Sequence, residues 1–275
     1  MTFWRKFKNT VHLSFISFAA LIVIIPLILI LVFIFKMGAN SLNWDFFTQL
    51  PAPVGGEGGG MKHAILGTLY LVGLACLFSI PIGVCLGAYL AEYSQERMAI
   101  FLRQTIDLLT GVPAIIIGIF AYVIAVLPLK KFSALSGSIA LSFIILPIIV
   151  KTSEAILLLT SASIKEAGLA LGLSRTQVIW HILIKGNRSS LLTGIMLAIS
   201  RAAGETAPLL FTAFGNNLLS FDLLSPMASL PVQIYTYAIS PFEEWQRQAW
   251  TGSLVLMILV LGLNLSARFF MRKKT

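Results

Sequence analysis

The sequence predicts an all-α integral membrane protein with about six transmembrane helices, and three observations carry that expectation. Hydrophobic residues make up 57% of the chain and charged residues only 11%, with a mean hydropathy of +0.91. Soluble domains average roughly 25% charged residues, so a chain this apolar cannot cover its own surface and needs lipid as solvent. The apolar residues are gathered into six runs, each near the roughly 20 residues that cross a hydrocarbon core. The net charge of +9 comes from basic residues placed between those runs, which reads as an orientation signal rather than a nucleic-acid surface. A length of 275 residues leaves no room for a sizeable soluble domain.

In chain order, a tail (1–13) with Arg5, Lys6 and Lys8 precedes a first transmembrane helix (14–36) built on the apolar run Ser14 to Phe35. That run exceeds the apolar core of a signal peptide, about 7–15 residues, and lacks a small-residue cleavage site, so it is read as a retained helix. An outer loop (37–63) follows, with Trp44, Asp45 and the stretch Val54-Gly55-Gly56-Glu57-Gly58-Gly59-Gly60. The density of glycine predicts an exposed, mobile loop. It is not a phosphate-cradling P-loop, because Gly60 is followed by Met61, Lys62 and His63 instead of the required Lys-Ser/Thr.

A five-helix core (64–270) comes next. Its runs are Ala64 to Leu90, Ile106 to Pro128, Phe132 to Val150, Leu191 to Phe214 and Thr251 to Phe270, followed by a short tail (271–275). Glycine and proline inside such runs are compatible with membrane helices, whose neighbours satisfy the freed backbone groups. Gly83 and Gly87 offer a small-xxx-small surface for close helix contact. Cys76 and Cys85 are expected to be buried packing residues, and His12, His63 and His181 are too scattered for a metal site. No cofactor is implied.

Orientation follows from the basic residues. Fourteen fall on one side: Arg5, Lys6 and Lys8; Arg97 and Arg103; Lys151, Lys165, Arg175, Lys185 and Arg188; Arg268, Arg272, Lys273 and Lys274. Five fall on the other, namely Lys36, Lys62, Lys130, Lys131 and Arg247. The richer side is read as cytoplasmic, which places both termini there and Trp44, Trp245 and Trp250 near the outer interface. Lys130 and Lys131 are the awkward pair.

The connection from 151 to 190 is too long for a simple turn. Ser163-Ile164-Lys165-Glu166 has the form of a capping box, opening a short helix that Gly172 would close. Ser174-Arg175-Thr176-Gln177 is a second capping box. Together they predict a helix–glycine–helix elbow; an interfacial amphipathic helix without a partner fits the same composition.

In the fifth run, Arg201 lies about 15 Å from Leu191 at roughly 1.5 Å per residue, near the middle of a bilayer core about 30 Å thick. Glu205 is four residues further on, so the two charges share a helix face and can offset each other's burial. Pro208 cannot donate to Gly204, which predicts a kink beside the pair. A static ion pair between helices and a place on a transport pathway both remain open.

Two of these segments resemble a known family. Glu166-Ala167-Gly168, three residues, Gly172, nine residues and Ile182 resemble the EAA loop of bacterial ABC importer permeases, with Gly168, Ile184 and Lys185 departing from its pattern. Arg201-Ala202-Ala203-Gly204-Glu205-Thr206-Ala207-Pro208 resembles phosphate importer permeases, and the Ala-Pro continuation favours the PstA type over its sister, the PstC type. Gly67-Thr68-Leu69-Tyr70-Leu71 and Leu146 to Glu154 look like the same subfamily.

The resemblance implies a type I ABC importer permease fold in a bacterial inner membrane. It also implies a PstC-like second permease, two copies of a PstB-like cytoplasmic ATPase and a PstS-like extracytoplasmic phosphate-binding protein as partners. Lys165, Glu166, Ala167, Gly168, Leu171 and Gly172 would then couple to the ATPase, and Arg201, Glu205, Thr206 and Pro208 would line the substrate pathway. ATP hydrolysis would belong to the partner, so the chain itself is expected not to be an enzyme. The competing classes are a permease for another oxyanion, such as sulfate or molybdate, and an ion-coupled secondary transporter. The last would show inverted repeats and paired interrupted helices, which the sequence does not display.

Overall fold

A computed structural model describes residues 3–53, 56, 58–160 and 162–272, with the side chains of 3, 6, 162 and 267–272 outside that description. The expectations for Lys6, Val54, Gly55, Glu57, Arg268, Arg272, Lys273 and Lys274 fall wholly or partly outside it. The described residues are almost entirely helical, with one isolated antiparallel bridge, Pro51 to Gly59.

Helix α1 (Phe3–Ala39) begins well before the apolar run Ser14 to Phe35, so the expected tail is helical from Phe3 onward. After α2 (Trp44–Thr48), α3 (Lys62–Glu92) crosses as an unbroken helix despite Pro81. Next come α4 (Arg97–Gly111) and α5 (Ala114–Leu129), the latter with a wide, π-type turn at Tyr122–Val126. Then follow α6 (Ala134–Leu158), the short α7 (Ala162–Ala170) and α8 (Arg175–Ile184). The chain ends with α9 (Arg188–Ala203), α10 (Ala207–Leu210), α11 (Leu230–Ala238) and α12 (Glu243–Arg272).

Four of these helices, α1, α3, α6 and α12, are each long and apolar enough to span a membrane. Two bent pairs, α4 with α5 at 108° and α8 with α9 at 75°, bring the possible spans to six. The third apolar run is therefore not one helix: it breaks at Val112–Pro113, where the proline ring and its missing N–H end α4. The fifth run breaks too. Helix α9 stops at Ala203, and the segment after α10 runs without regular helix from Phe211 to Ser229.

The core is centred on α3 and α6. Leu71, Ala75, Leu141, Ile145, Ile149, Ala198 and Ala202 are buried together. Gly83 and Gly87 let the two helices touch, because a methyl group on either would lie 2.7 Å from Ile149 Cγ2 or 2.6 Å from Ser153 Cβ. Cys76 packs against this core, whereas Cys85 is exposed, contrary to the expectation that both are buried; both are free thiols.

The described residues of the loop between α1 and α3 are held in place by more contacts than the loop's glycine content suggests. Asn43 caps α2 by accepting the Phe46 N–H at 2.8 Å, and Phe46 and Met61 are fully buried. Gly60 sits where a Cβ would strike the Asp45 carbonyl, and Gln248 donates to the Gly58 carbonyl at 2.6 Å. Glycine permits close approach at Gly60 and a left-handed backbone, φ +82°, at Gly58.

Candidate functional site

Two regions hold the residues singled out from the sequence. The first lies where the broken third and fifth spans meet. Arg201 occupies the last turn of α9, about 20 Å along the helix from Arg188 at 1.5 Å per residue. A cation there faces the carbonyl end of the helix macrodipole, so its charge is stabilised by more than its carboxylate partner. Glu205 has left the helix, yet its Oε1 remains 3.5 Å from Arg201 Nε. The pair is asymmetric: the Glu205 side chain is 17% exposed and that of Arg201 58%.

Arg201 lines a small cavity with Leu109, Thr110, Val112, Ala114 and Pro147, which places it beside the α4–α5 break. Pro208 is buried against Gly118 of α5, so α10 rests on the helix that follows that break. Thr206 precedes α10, and its carbonyl accepts the Leu210 N–H at 3.2 Å. The expected kink at Pro208 is thus a full helix end at Gly204, reinforced by the Gly204 and Glu205 N–H groups turning back to Arg201 and Ala202 at 3.2 Å. The structure brings all four of these residues together around the junction.

The second region is the elbow. Helix α7 starts at Ala162, so Ser163 lies inside it rather than at the N-cap position that the first predicted capping box gave it. Its end is as expected. Gly172 adopts φ +83°, Leu173 N–H reaches the Gly168 carbonyl at 3.2 Å, and Gly172 N–H reaches Leu169 at 2.9 Å. This is a Schellman closure, and it needs a residue tolerant of the left-handed conformation. The second capping box is formed: Ser174 Oγ accepts the Gln177 N–H, and Gln177 Oε1 accepts the Ser174 N–H.

The six elbow residues do not share one role. Glu166, Ala167 and Leu171 face outward, with Leu171 83% exposed. Gly168 faces inward, where a methyl group would meet Ile182 at 2.7 Å. Lys165 also turns inward, its Nζ 3.0 Å from Glu92 Oε2. Lys165 and Gly168 thus face the rest of the chain, while Glu166, Ala167 and Leu171 face away from it. The ion pairs Arg103–Glu154 and Lys151–Asp107 between α4 and α6, both absent from the sequence reading, flank the elbow's root. Among the described residues no cluster of His, Cys, Asp and Glu could hold a metal ion.

A multi-span helical chain with broken third and fifth spans and a helix–glycine–helix elbow has the architecture of an importer's membrane subunit. The chain belongs to the family of binding-protein-dependent transport system inner membrane components, whose model matches residues 83–273. Among curated relatives, it is 42% identical over 274 residues to the phosphate transport system permease protein PstA of Haemophilus influenzae, covering 99% of this chain and 96% of that one. It is 40% identical to PstA of Yersinia pestis, covering 98% and 92%, and 32% identical to the probable PstA of Methanocaldococcus jannaschii, covering 98% and 95%.

Among solved structures, it is similar to a chain of a bacterial alginate ABC transporter with a TM-score of 0.70 at 14% identity, covering 98% and 97% of the two chains. A chain of the MetNI methionine ABC transporter gives 0.62 at 16%, covering 78% and 94%. These likenesses establish the type I importer permease fold. Paired interrupted helices, expected of the ion-coupled class, do occur here, so it is family membership that decides between the two.

Proposed function

We propose that this chain is the PstA-type membrane subunit of an ATP-driven phosphate importer, forming the translocation pathway with a PstC-like sister permease. The observation that carries the reading is the 42% identity to a PstA protein over almost the whole of both chains. The geometry agrees with it. Arg201 presents an exposed guanidinium at the junction of two broken spans, and a guanidinium binds phosphate in a forked, charge-assisted manner. Glu205 lies 3.5 Å from Arg201 Nε and leaves the Arg201 side chain 58% exposed.

The fourteen-to-five asymmetry of basic residues supports a cytoplasmic elbow and cytoplasmic termini. The outward face of α7, with Glu166, Ala167 and Leu171, then meets a PstB-like ATPase, which hydrolyses ATP. A PstS-like binding protein delivers phosphate from the other side. The experiment is reconstitution of the chain with sister permease, ATPase and binding protein in liposomes, followed by uptake of labelled phosphate. Uptake should require ATP and should not be matched by sulfate or molybdate. Uptake driven by an ion gradient alone, or preference for another oxyanion, would reject the reading.

A further inference from the structure

Lys165 stands on the helix that the proposed function assigns to the ATPase contact, yet its ammonium is spent inside the chain. Glu92, its partner, is the last residue of α3, the helix that packs along α6 through Gly83 and Gly87. The two side chains are only 23% and 20% exposed, so the pair is screened less than a surface bridge, and loss of either member strands a half-buried charge.

Below it lies an apolar root in which Ala88 and Ala91 of α3, Leu157 of α6, and Val178 and Leu183 of α8 are buried together. Beside it, Arg103 donates to Glu154 Oε1 at 2.8 Å and to the Leu90 carbonyl at 3.2 Å, joining α4, α6 and the C-terminal turn of α3. The inner end of α3 is thus held from both sides: by Lys165 of the elbow and by Arg103 of α4.

We propose, resting on the importer reading, that Glu92 and Lys165 form a positioning strut that converts displacement of α7 into displacement of α3. The Arg103–Glu154 pair carries the same motion to α4 and α6. An apolar root alone permits sliding, because dispersion contacts have no direction. A charged contact at 3.0 Å fixes one point of α7 to one point of α3, so the two move together.

The test is the number of phosphates taken up per ATP hydrolysed by the reconstituted complex, measured for Glu92→Gln, Lys165→Met and the reversed pair Glu92→Lys with Lys165→Glu. The single variants should assemble and hydrolyse ATP while that ratio falls about five-fold or more, the lower edge of ordinary coupling between sites. The reversed pair should recover most of the loss. Unchanged ratios in the single variants, or a reversed pair no better than they are, would overturn the inference. Single variants that cannot assemble would also overturn it, since the pair would then hold the fold rather than transmit motion. If the unaltered complex takes up no phosphate, the importer reading has failed instead.

Discussion

Gly118 lies against Pro208 so closely that a methyl group on the glycine would come within 2.7 Å of the proline Cα. This contact sets α10 on α5 and therefore sets the spacing of the two broken spans beside Arg201. Gly118→Leu should force them apart. Overpacking of this kind costs about 1–3 kcal/mol, enough to lower the melting temperature of the purified complex without preventing insertion. Phosphate uptake should fall with it. Wild-type uptake by an assembled Gly118→Leu complex would mean that the spacing of α5 and α10 does not matter to transport.

Gly172 gives a second expectation. A valine at φ +83° pays the left-handed penalty of about 1–2 kcal/mol, and its branched side chain worsens the fit. Gly172→Val should open the Schellman turn, misdirect α7 and weaken co-purification of the ATPase, while the protein still reaches the membrane. Gly172→Asn should be milder, since asparagine tolerates this conformation. Equal ATPase recovery from all three proteins would remove the turn from the coupling mechanism.

The fold and the site were legible to different degrees, for identifiable reasons. Unbroken spans such as α3 and α6 announce themselves as apolar runs, and Ser174 and Gly172 follow local rules of capping and backbone conformation. The end at Gly111 is hidden because Val112, Ala114, Ile115 and Ile116 after it stay apolar, so hydropathy continues where the helix stops. At Ala203 the proline four residues beyond Gly204 predicts a kink, whereas the helix ends outright. The segment 211–229, which the fifth run enters only as far as Phe214, has its backbone tied to other elements. Ala134 N–H reaches the Ser225 carbonyl, and Thr68 Oγ1 accepts the Leu230 N–H. The inward turn of Lys165 depends on Glu92, seventy-three residues away, which no local pattern reports.

Topology is the third prediction. Leu218 is exposed in the segment assigned to the outer side, and Arg175 is exposed on the elbow assigned to the cytoplasm. A membrane-impermeant thiol reagent applied to intact cells should label Leu218→Cys, while Arg175→Cys should react only after permeabilisation. Cys85 is exposed in the isolated chain, so the background should be a protein in which Cys76 and Cys85 are replaced by serine. Labelling of Arg175→Cys from outside would invert the orientation and, with it, the ATPase-facing elbow.

Arg201 separates a pathway role from a static one. The pair with Glu205 is long at 3.5 Å and leaves the Arg201 side chain 58% exposed, which is poor geometry for a purely structural bridge. Arg201→Lys retains the charge at the end of α9, and hence the interaction with the helix dipole and with Glu205, but loses the planar fork. The complex should therefore assemble normally. Losing one charge-assisted hydrogen bond to a passing phosphate removes about 1.5 kcal/mol, or roughly ten-fold in the rate of uptake at saturating binding protein. Arg201→Ala should lose both transport and stability, because Glu205, mostly buried, is left without its cation. Adding Glu205→Gln to Arg201→Ala should restore assembly but not transport. If instead the assembled Arg201→Lys complex takes up phosphate at the wild-type rate, and the doubly neutralised one does as well, the pair merely fastens the end of α9 and phosphate passes elsewhere.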